Sequence, residues 1–275
     1  EVVMASEFGY FIESVDAGTL VLAISQSGET ADVLDGVRRA KEKGARIVSL
    51  VNVANSSLVR LSDRVLYMKS GPEIGVAATK TFMAQLTLLY LMAFALAGQY
   101  EEGMAQLEAV AGKIDDNLKE DGDGTTEIAL KLKSQHDFYF IARGINFAVA
   151  AEGALKLKEV AYVHAEGMSA GELKHGTLAL IERGTPVVAI CPHDYTFHEI
   201  MPNIAETAAR GAWVIGVSDK AEEMFSEWIK IPAVPELFYP MVTVIPLQLF
   251  AYHSAVFRAL DPDRPRNLAK SVTVR

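Results

Sequence analysis

Short unbroken apolar runs recur along this chain, separated by longer segments of mixed pattern. The first run, Leu20-Val21-Leu22-Ala23-Ile24, leads straight into Ser25-Gln26-Ser27-Gly28-Glu29-Thr30. A run this short, bounded by turn residues, predicts a strand buried on both faces of a parallel sheet. The segment from Ala31 to Gly44 predicts a helix, with Gly44 ending it. Further strands are predicted at 46–52, 64–68, 138–142, 186–191, 213–217 and 229–232. Helices are predicted at 56–62, 103–118, 147–162, 198–211 and 242–259. The stretch Thr81 to Tyr100 carries no charge. It also contains Thr81, Gln85, Thr87 and Gln99 and follows Lys80, so it predicts a helix in the core or at a subunit interface, not one across a membrane. Strand and helix alternate throughout, the pattern of a parallel α/β sheet.

The pattern also repeats. VLAIS from Val21 matches VVAIC from Val187, and Gly44-Ala45-x-Ile47-Val48 matches Gly211-Ala212-x-Val214-Ile215. Ala5-Ser6-Glu7-Phe8 matches Ala170-Gly171-Glu172-Leu173 more loosely. The three matches share a spacing of about 166 residues, as two copies of one unit would. Such copies place their strand-end loops toward a ligand cleft. The second copy has a strand and helix (138–162) before its Pro186 strand, with no counterpart ahead of Thr19. The expectation is that the chain starts inside its first unit, lacking an opening strand and helix of roughly thirty residues, and that this fragment is impaired as a catalyst. The polar run Lys119 to Gly124 marks the expected boundary: residues 1–118 as a first, N-terminally truncated subdomain, 119–136 as linker, 137–260 as a second subdomain, and 261–275 as a tail closing the active site.

Half of the residues are hydrophobic and 22% are charged, which describes a globular chain with a large core. The net charge is −9 with no basic cluster, which argues against nucleic-acid binding. Cys191 is the single cysteine. No internal disulfide can form, a cysteine-rich zinc site is excluded, and a reducing cytoplasm is expected. No stretch reads as a signal peptide.

Four groups of residues could carry chemistry. A strand, a small polar loop and a helix start form an anion site, because the first N–H groups of the helix lack partners and its dipole favours negative charge. Ser25, Ser27 and Thr30 add hydroxyls, and Gly28 lets the backbone approach. An ordinary N-cap has the same residue types. The loop lacks the lysine of a nucleotide P-loop, so a sugar phosphate fits better than ATP. Second, Glu152, Lys156 and Glu159 share one face of a helix at i, i+4 and i+7. A solvated ladder of charges has this spacing too, but the neighbouring positions are apolar, and a charge stripe on a packed helix is costly unless it serves a site. A carboxylate beside a lysine can move a proton next to a carbonyl. Third, His175 lies between glycines in a tight loop and could act as acid or base near neutral pH. In the tail, Leu268, Ala269, Val272 and Val274 predict docking through apolar side chains, with Lys270 among them as a free amine able to attack a carbonyl. An exposed tail lysine is the alternative.

Taken together, Ser25 to Thr30, Glu152 to Glu159, Gly171-Glu172-Leu173-Lys174-His175-Gly176 and Arg266 to Val274 resemble the isomerase part of the glutamine–fructose-6-phosphate aminotransferases (glucosamine-6-phosphate synthases), a family of sugar isomerase (SIS) domains. The resemblance covers essentially the whole chain. It implies an α/β fold of two tandem SIS-type units, each a parallel sheet flanked by helices, plus an ordered C-terminal tail. It implies conversion of fructose 6-phosphate and ammonia to glucosamine 6-phosphate, with no cofactor and no metal. In that likeness Ser25, Gln26, Ser27 and Thr30 hold the phosphate and His175 opens the ring, reaching the site from the partner of a homodimer. Glu159 moves the proton between C1 and C2, Lys270 forms a Schiff base, and Lys156 supports the developing charge. Val76, Ala78 and Ala269 line the sugar, Ala78 standing where the family has serine. The family's upstream Cys-Gly-Thr-Ser phosphate loop and its glutaminase domain have no counterpart here. A sugar-phosphate deaminase of the same family, or a non-catalytic sugar-phosphate-binding SIS module, would share the first motif.

Overall fold

The computed structural model describes residues 1–120 and 124–273. The chain divides into two compact units, Glu1–Tyr100 with Asn267–Arg275, and Glu101–Arg266.

In the first unit, β1 (Leu20–Ser25), β2 (Arg46–Val51) and β3 (Arg64–Tyr67) form a parallel sheet in the order β1-β2-β3. The connections are α1 (Ala31–Glu42) and the short α2 (Ser57–Leu61), and a 3₁₀ segment, Ala5–Ser14, packs on α1. Ala23, Leu34, Val37, Ile47, Val51 and Leu58 form the core. The sequence predicts β1 buried on both faces, and the structure corrects this. Val21, Ala23 and Ser25 point toward the α1 side, whereas Leu20 and Ile24 on the opposite face are exposed. Alternation along a strand gives each face its own environment, and here one face is covered. The apolar helix α3 (Lys80–Leu96) is not a core helix: of its residues Thr81 alone is fully buried, and Leu96 is exposed.

In the second unit, α4 (Tyr100–Glu120) and α5 (Thr126–Lys131) precede β4 (Asp137–Ala142), α6 (Asn146–Ala161), β5 (His164–Ser169), β6 (Pro186–Ile190), α7 (Phe197–Ala208), β7 (Trp213–Ser218), β8 (Glu227–Lys230) and α8 (Tyr239–Phe257). The five strands are parallel, in the order β5-β4-β6-β7-β8. Tyr139, Ile141, Val187, Ala189, Ile200 and Val214 belong to its core. The segment Glu236–Phe257 is long and apolar enough to cross a membrane, yet it is mostly buried, with α8 packed against α5 and α6. Gly153 permits that contact, since a Cβ there would stand 2.6 Å from a Leu247 methyl.

The internal repeat is real in three dimensions. β1-β2-β3 and β6-β7-β8 are two runs of parallel strands in the same order. Gly44 and Gly211 end α1 and α7 with φ of 87° and 84°. The segments beginning Ala5 and Ala170 are both 3₁₀.

Several boundaries differ from those expected. Residues 119–120 continue α4, and α5 occupies the middle of the expected linker, burying Ile128 and Ala129. Of the polar run, residues 121–123 lie outside the described residues. The helix α4 groups with the second unit, where Leu107 and Val110 are buried and Lys113 donates to the Ala233 carbonyl at 2.5 Å. The tail from Asn267 groups with the first unit.

Candidate active site

The loop Ser25–Thr30 carries the chain from β1 into α1. Ser25, at the buried end of the strand, accepts the Gly28 N–H at 3.0 Å and pairs with the Thr30 hydroxyl at 3.0 Å. The Ser27 hydroxyl accepts the Glu29 N–H at 3.2 Å. The loop is fastened from outside as well. Asn52 donates its N–H to the Gln26 carbonyl at 3.1 Å and Leu58 donates to the Gly28 carbonyl at 3.0 Å. The Glu29 carboxylate accepts the Ser57 N–H at 2.6 Å, and that backbone bond holds its pKa below the ordinary glutamate value. Gly28 has φ of +67°, and a Cβ there would lie 2.1 Å from Ser56 Oγ. Both the backbone conformation and the space require glycine. The expected phosphate residues Ser25, Gln26, Ser27 and Thr30 are thus gathered on one rigid turn at a helix start.

The tail docks on this turn, although not as its sequence suggests. Leu268 and Val272 are exposed, as is Ala269, and Val274 lies outside the described residues. The contacts are polar instead. Ser271 donates to Ser27 at 2.9 Å, and the Val272 carbonyl accepts the Ala31 N–H, the first of α1, at 3.0 Å. A helix start offers unsatisfied N–H donors, and an extended tail offers carbonyls, so the two pair without apolar side chains. Lys270 likewise meets polar partners and is partly exposed. Its Nζ donates to the Gly75 carbonyl at 2.7 Å, lies 3.5 Å from the Val76 carbonyl, and stands 3.5 Å from a Glu73 carboxylate oxygen. An ammonium needs acceptors for its three donors, and the loop between β3 and α3 supplies them. The structure thereby brings Lys270 to Val76. Val76 and Ala78 are half-buried in that loop.

The second unit carries the charged triad on α6. Lys156 is buried, with Nζ 2.5 Å from Glu159 and 3.4 Å from Glu152. The i, i+4, i+7 spacing therefore yields an ion cluster built around a buried lysine, with both carboxylates partly buried, and not a solvated ladder. Burial pushes the Glu152 carboxyl above the ordinary glutamate value; Lys156 opposes this, and the Glu159 charge adds to it. Pairs of carboxyl groups in unequal settings are a means of dividing acid from base. His175 ends a 3₁₀ segment, Ala170–His175, and is exposed, with no hydrogen bond or ion pair among the described residues.

The second copy of the phosphate-type loop, Cys191 to Thr196, differs in one decisive way. Asp194 occupies the position of Gly28. Its carboxylate accepts the Thr196 N–H at 2.8 Å, the Thr196 hydroxyl at 2.6 Å and the Asn146 amide at 2.7 Å. The donors at the start of α7 thus face an anion belonging to the chain itself. Sequence reasoning missed Asp194, Glu73 and Ser271. The Gly28-to-Asp194 change was visible in the repeat, whereas nothing in the pattern signalled Glu73 or Ser271.

Comparison with known proteins resolves the family. The sequence profile of the SIS domain matches residues 1–95 and 131–258. A solved structure, the C-terminal domain of glucosamine-fructose-6-phosphate aminotransferase from Francisella tularensis, superposes with a TM-score of 0.89 at 36% identity, covering 96% of this chain and 78% of that one. The chain belongs to the glutamine–fructose-6-phosphate aminotransferase branch of the SIS domain family. Curated aminotransferases of this name from Thermococcus kodakarensis and Pyrococcus horikoshii are 51% and 49% identical over 98% of the chain. The chain spans about half of their length, 46% in each case.

Proposed function

We propose that this domain aminates and isomerises fructose 6-phosphate, with ammonia as nitrogen donor, to give glucosamine 6-phosphate. Its relatives at about half identity carry the name glutamine–fructose-6-phosphate aminotransferase (isomerizing), which supports this reading. In this reading Ser25, Gln26, Ser27 and Thr30 bind the phosphate at the α1 start, whose dipole and hydroxyls suit a dianion. Val76, Ala78 and Ala269 line the sugar. His175, exposed and unpartnered among the described residues, opens the ring from the second copy in a homodimer. Lys270 forms an imine with the ketose, releasing water, and ammonia displaces the lysine by transimination. Glu159 then moves one proton from C1 to C2, leaving an amine on C2 and an aldehyde at C1. Lys156 stabilises the charge that develops. The domain works in the cytoplasm.

The observation that carries the proposal is the Glu152–Lys156–Glu159 cluster, with Lys156 buried between two partly buried carboxylates. A module that merely bound sugar phosphates would gain nothing from three charges on a packed helix, and their desolvation is costly. The test is a product assay with fructose 6-phosphate and ammonium, run in both directions and read by NMR. Glucosamine 6-phosphate formation is expected. Binding of sugar phosphate without turnover in either direction would favour a binding module.

A further inference from the structure

Glu73 sits in the loop that leads into α3, and its carboxylate is almost wholly buried, with 4% side-chain exposure. One oxygen accepts the Thr79 N–H at 2.8 Å and lies 3.3 Å from the Thr79 hydroxyl and 3.5 Å from the Thr81 N–H. The other accepts the Thr81 hydroxyl and faces Lys270 at 3.5 Å. Thr81 itself is fully buried at the first turn of α3. Lys80, the neighbouring cation, turns instead to the Pro72 carbonyl at 2.6 Å. Burial by itself would raise the Glu73 pKa, but the Thr81 and Thr79 donors and the Lys270 charge outweigh it and hold the group below the ordinary value.

We propose that Glu73 is a positioning residue for Lys270: its fixed carboxylate, with the Gly75 and Val76 carbonyls, holds the lysine at one place on the sugar loop and restrains its amine from reacting with adventitious electrophiles. The donors from Thr79 and Thr81 fix Glu73, Glu73 fixes Lys270, and Lys270 is thereby tied to the loop that carries Val76 and Ala78. A lysine on an unanchored tail would lose the orientation that makes an enzymic nucleophile effective. This inference rests on the imine role of Lys270 for its functional meaning, though not for its test.

The experiment is trace acetylation of the folded chain at one pH, with each lysine quantified by mass spectrometry in the wild type, Glu73→Gln and Glu73→Asp. Gln keeps the acceptor oxygen for Thr79 and removes the charge. The expected result is an increase in Lys270 labelling of several-fold in Glu73→Gln, with exposed Lys158 unchanged as internal standard, and restoration toward the wild-type level in Glu73→Asp. Equal Lys270 labelling in all three proteins overturns the proposal. Should Glu73→Gln fail to fold, the same comparison between wild type and Thr81→Val, which loosens Glu73 while leaving its charge, carries the test: unchanged Lys270 labelling there overturns it as well. A second arm adds fructose 6-phosphate and cyanoborohydride. Enhanced acetylation without a sugar adduct at Lys270 supports the Glu73 inference and rejects the imine role. An adduct with unchanged acetylation does the reverse.

Discussion

The Ser271 hydroxyl donates to the Ser27 hydroxyl across 2.9 Å, so the tail and the candidate phosphate loop form one hydrogen-bonded structure. One residue further, the Val272 carbonyl takes the first N–H of α1. In the proposed reading, a phosphate arriving at the loop meets the Ala31 N–H that the Val272 carbonyl already takes, so tail docking and phosphate binding would be linked. Ser27→Ala removes a donor for the phosphate and the anchor for Ser271. A hydrogen bond to a charged group contributes about 1.5–3 kcal/mol, so glucosamine 6-phosphate affinity should fall roughly tenfold to a hundredfold. Calorimetric titration checks this, with the melting temperature as control. Unchanged affinity removes the loop from the phosphate site.

Gly28 is where the loop is least tolerant. Gly28→Ala places a Cβ against Ser56 at φ of +67°. Left-handed strain alone costs about 1–3 kcal/mol, before the collision. Adding Ser56→Gly removes the colliding atoms but leaves the strain, so the double variant should recover part of the lost stability. Urea denaturation of the three proteins measures both parts. Full recovery in the double variant would show that the backbone conformation carries no cost.

Asp194 should behave as a structural anion. Asp194→Ala leaves the Thr196 and Asn146 donors unpaired in a buried place, and about 2–4 kcal/mol of stability should be lost. Phosphate affinity at the Ser25 loop should stay within twofold of wild type. A large loss of phosphate affinity at unchanged stability would mean that the second loop also serves the ligand.

Much of this arrangement is legible in the sequence, for a physical reason. β2, β4, β6 and β7 are apolar runs because parallel strands are covered by connecting helices. The α6 charges share a face because 3.6 residues make a turn. By contrast β5, His-Ala-Glu-Gly-Met-Ser, has no apolar run, since it is an edge strand that buries Ala165 and Met168 alone among its residues. The tail's apolar residues predict docking through side chains such as Leu268, yet it docks through a carbonyl, a hydroxyl and an ammonium. Lys270 meets Gly75 across 195 residues of sequence, and no local pattern reports such a pairing.

Glu152 gives the protein a pH signature. Its folded pKa lies above the ordinary 4.5, so the folded state holds that proton more tightly than the unfolded chain. The burial penalty is absent at pH below 4.5 and grows as pH rises through the raised value. Glu152→Gln never ionises. Its stability relative to wild type should therefore increase with pH across that window and then level off. Urea midpoints of both proteins from about pH 4, near the ordinary carboxylate value, to about pH 8 supply the comparison. A difference that is constant with pH, or that runs the other way, contradicts the burial argument.

The central claim is that Glu159, paired with buried Lys156 at 2.5 Å, carries a proton between adjacent sugar carbons. The direct measurement is proton NMR of glucosamine 6-phosphate incubated with the protein in deuterium oxide. A C2 proton taken by the Glu159 carboxyl is replaced by deuterium when that carboxyl exchanges with solvent before returning it, even without net conversion. Wild type should erase the C2 proton signal. Glu159→Gln, which keeps the shape and loses the base, should bind the sugar with similar affinity and slow the exchange by about a hundredfold or more. Exchange at the wild-type rate in Glu159→Gln would contradict the account.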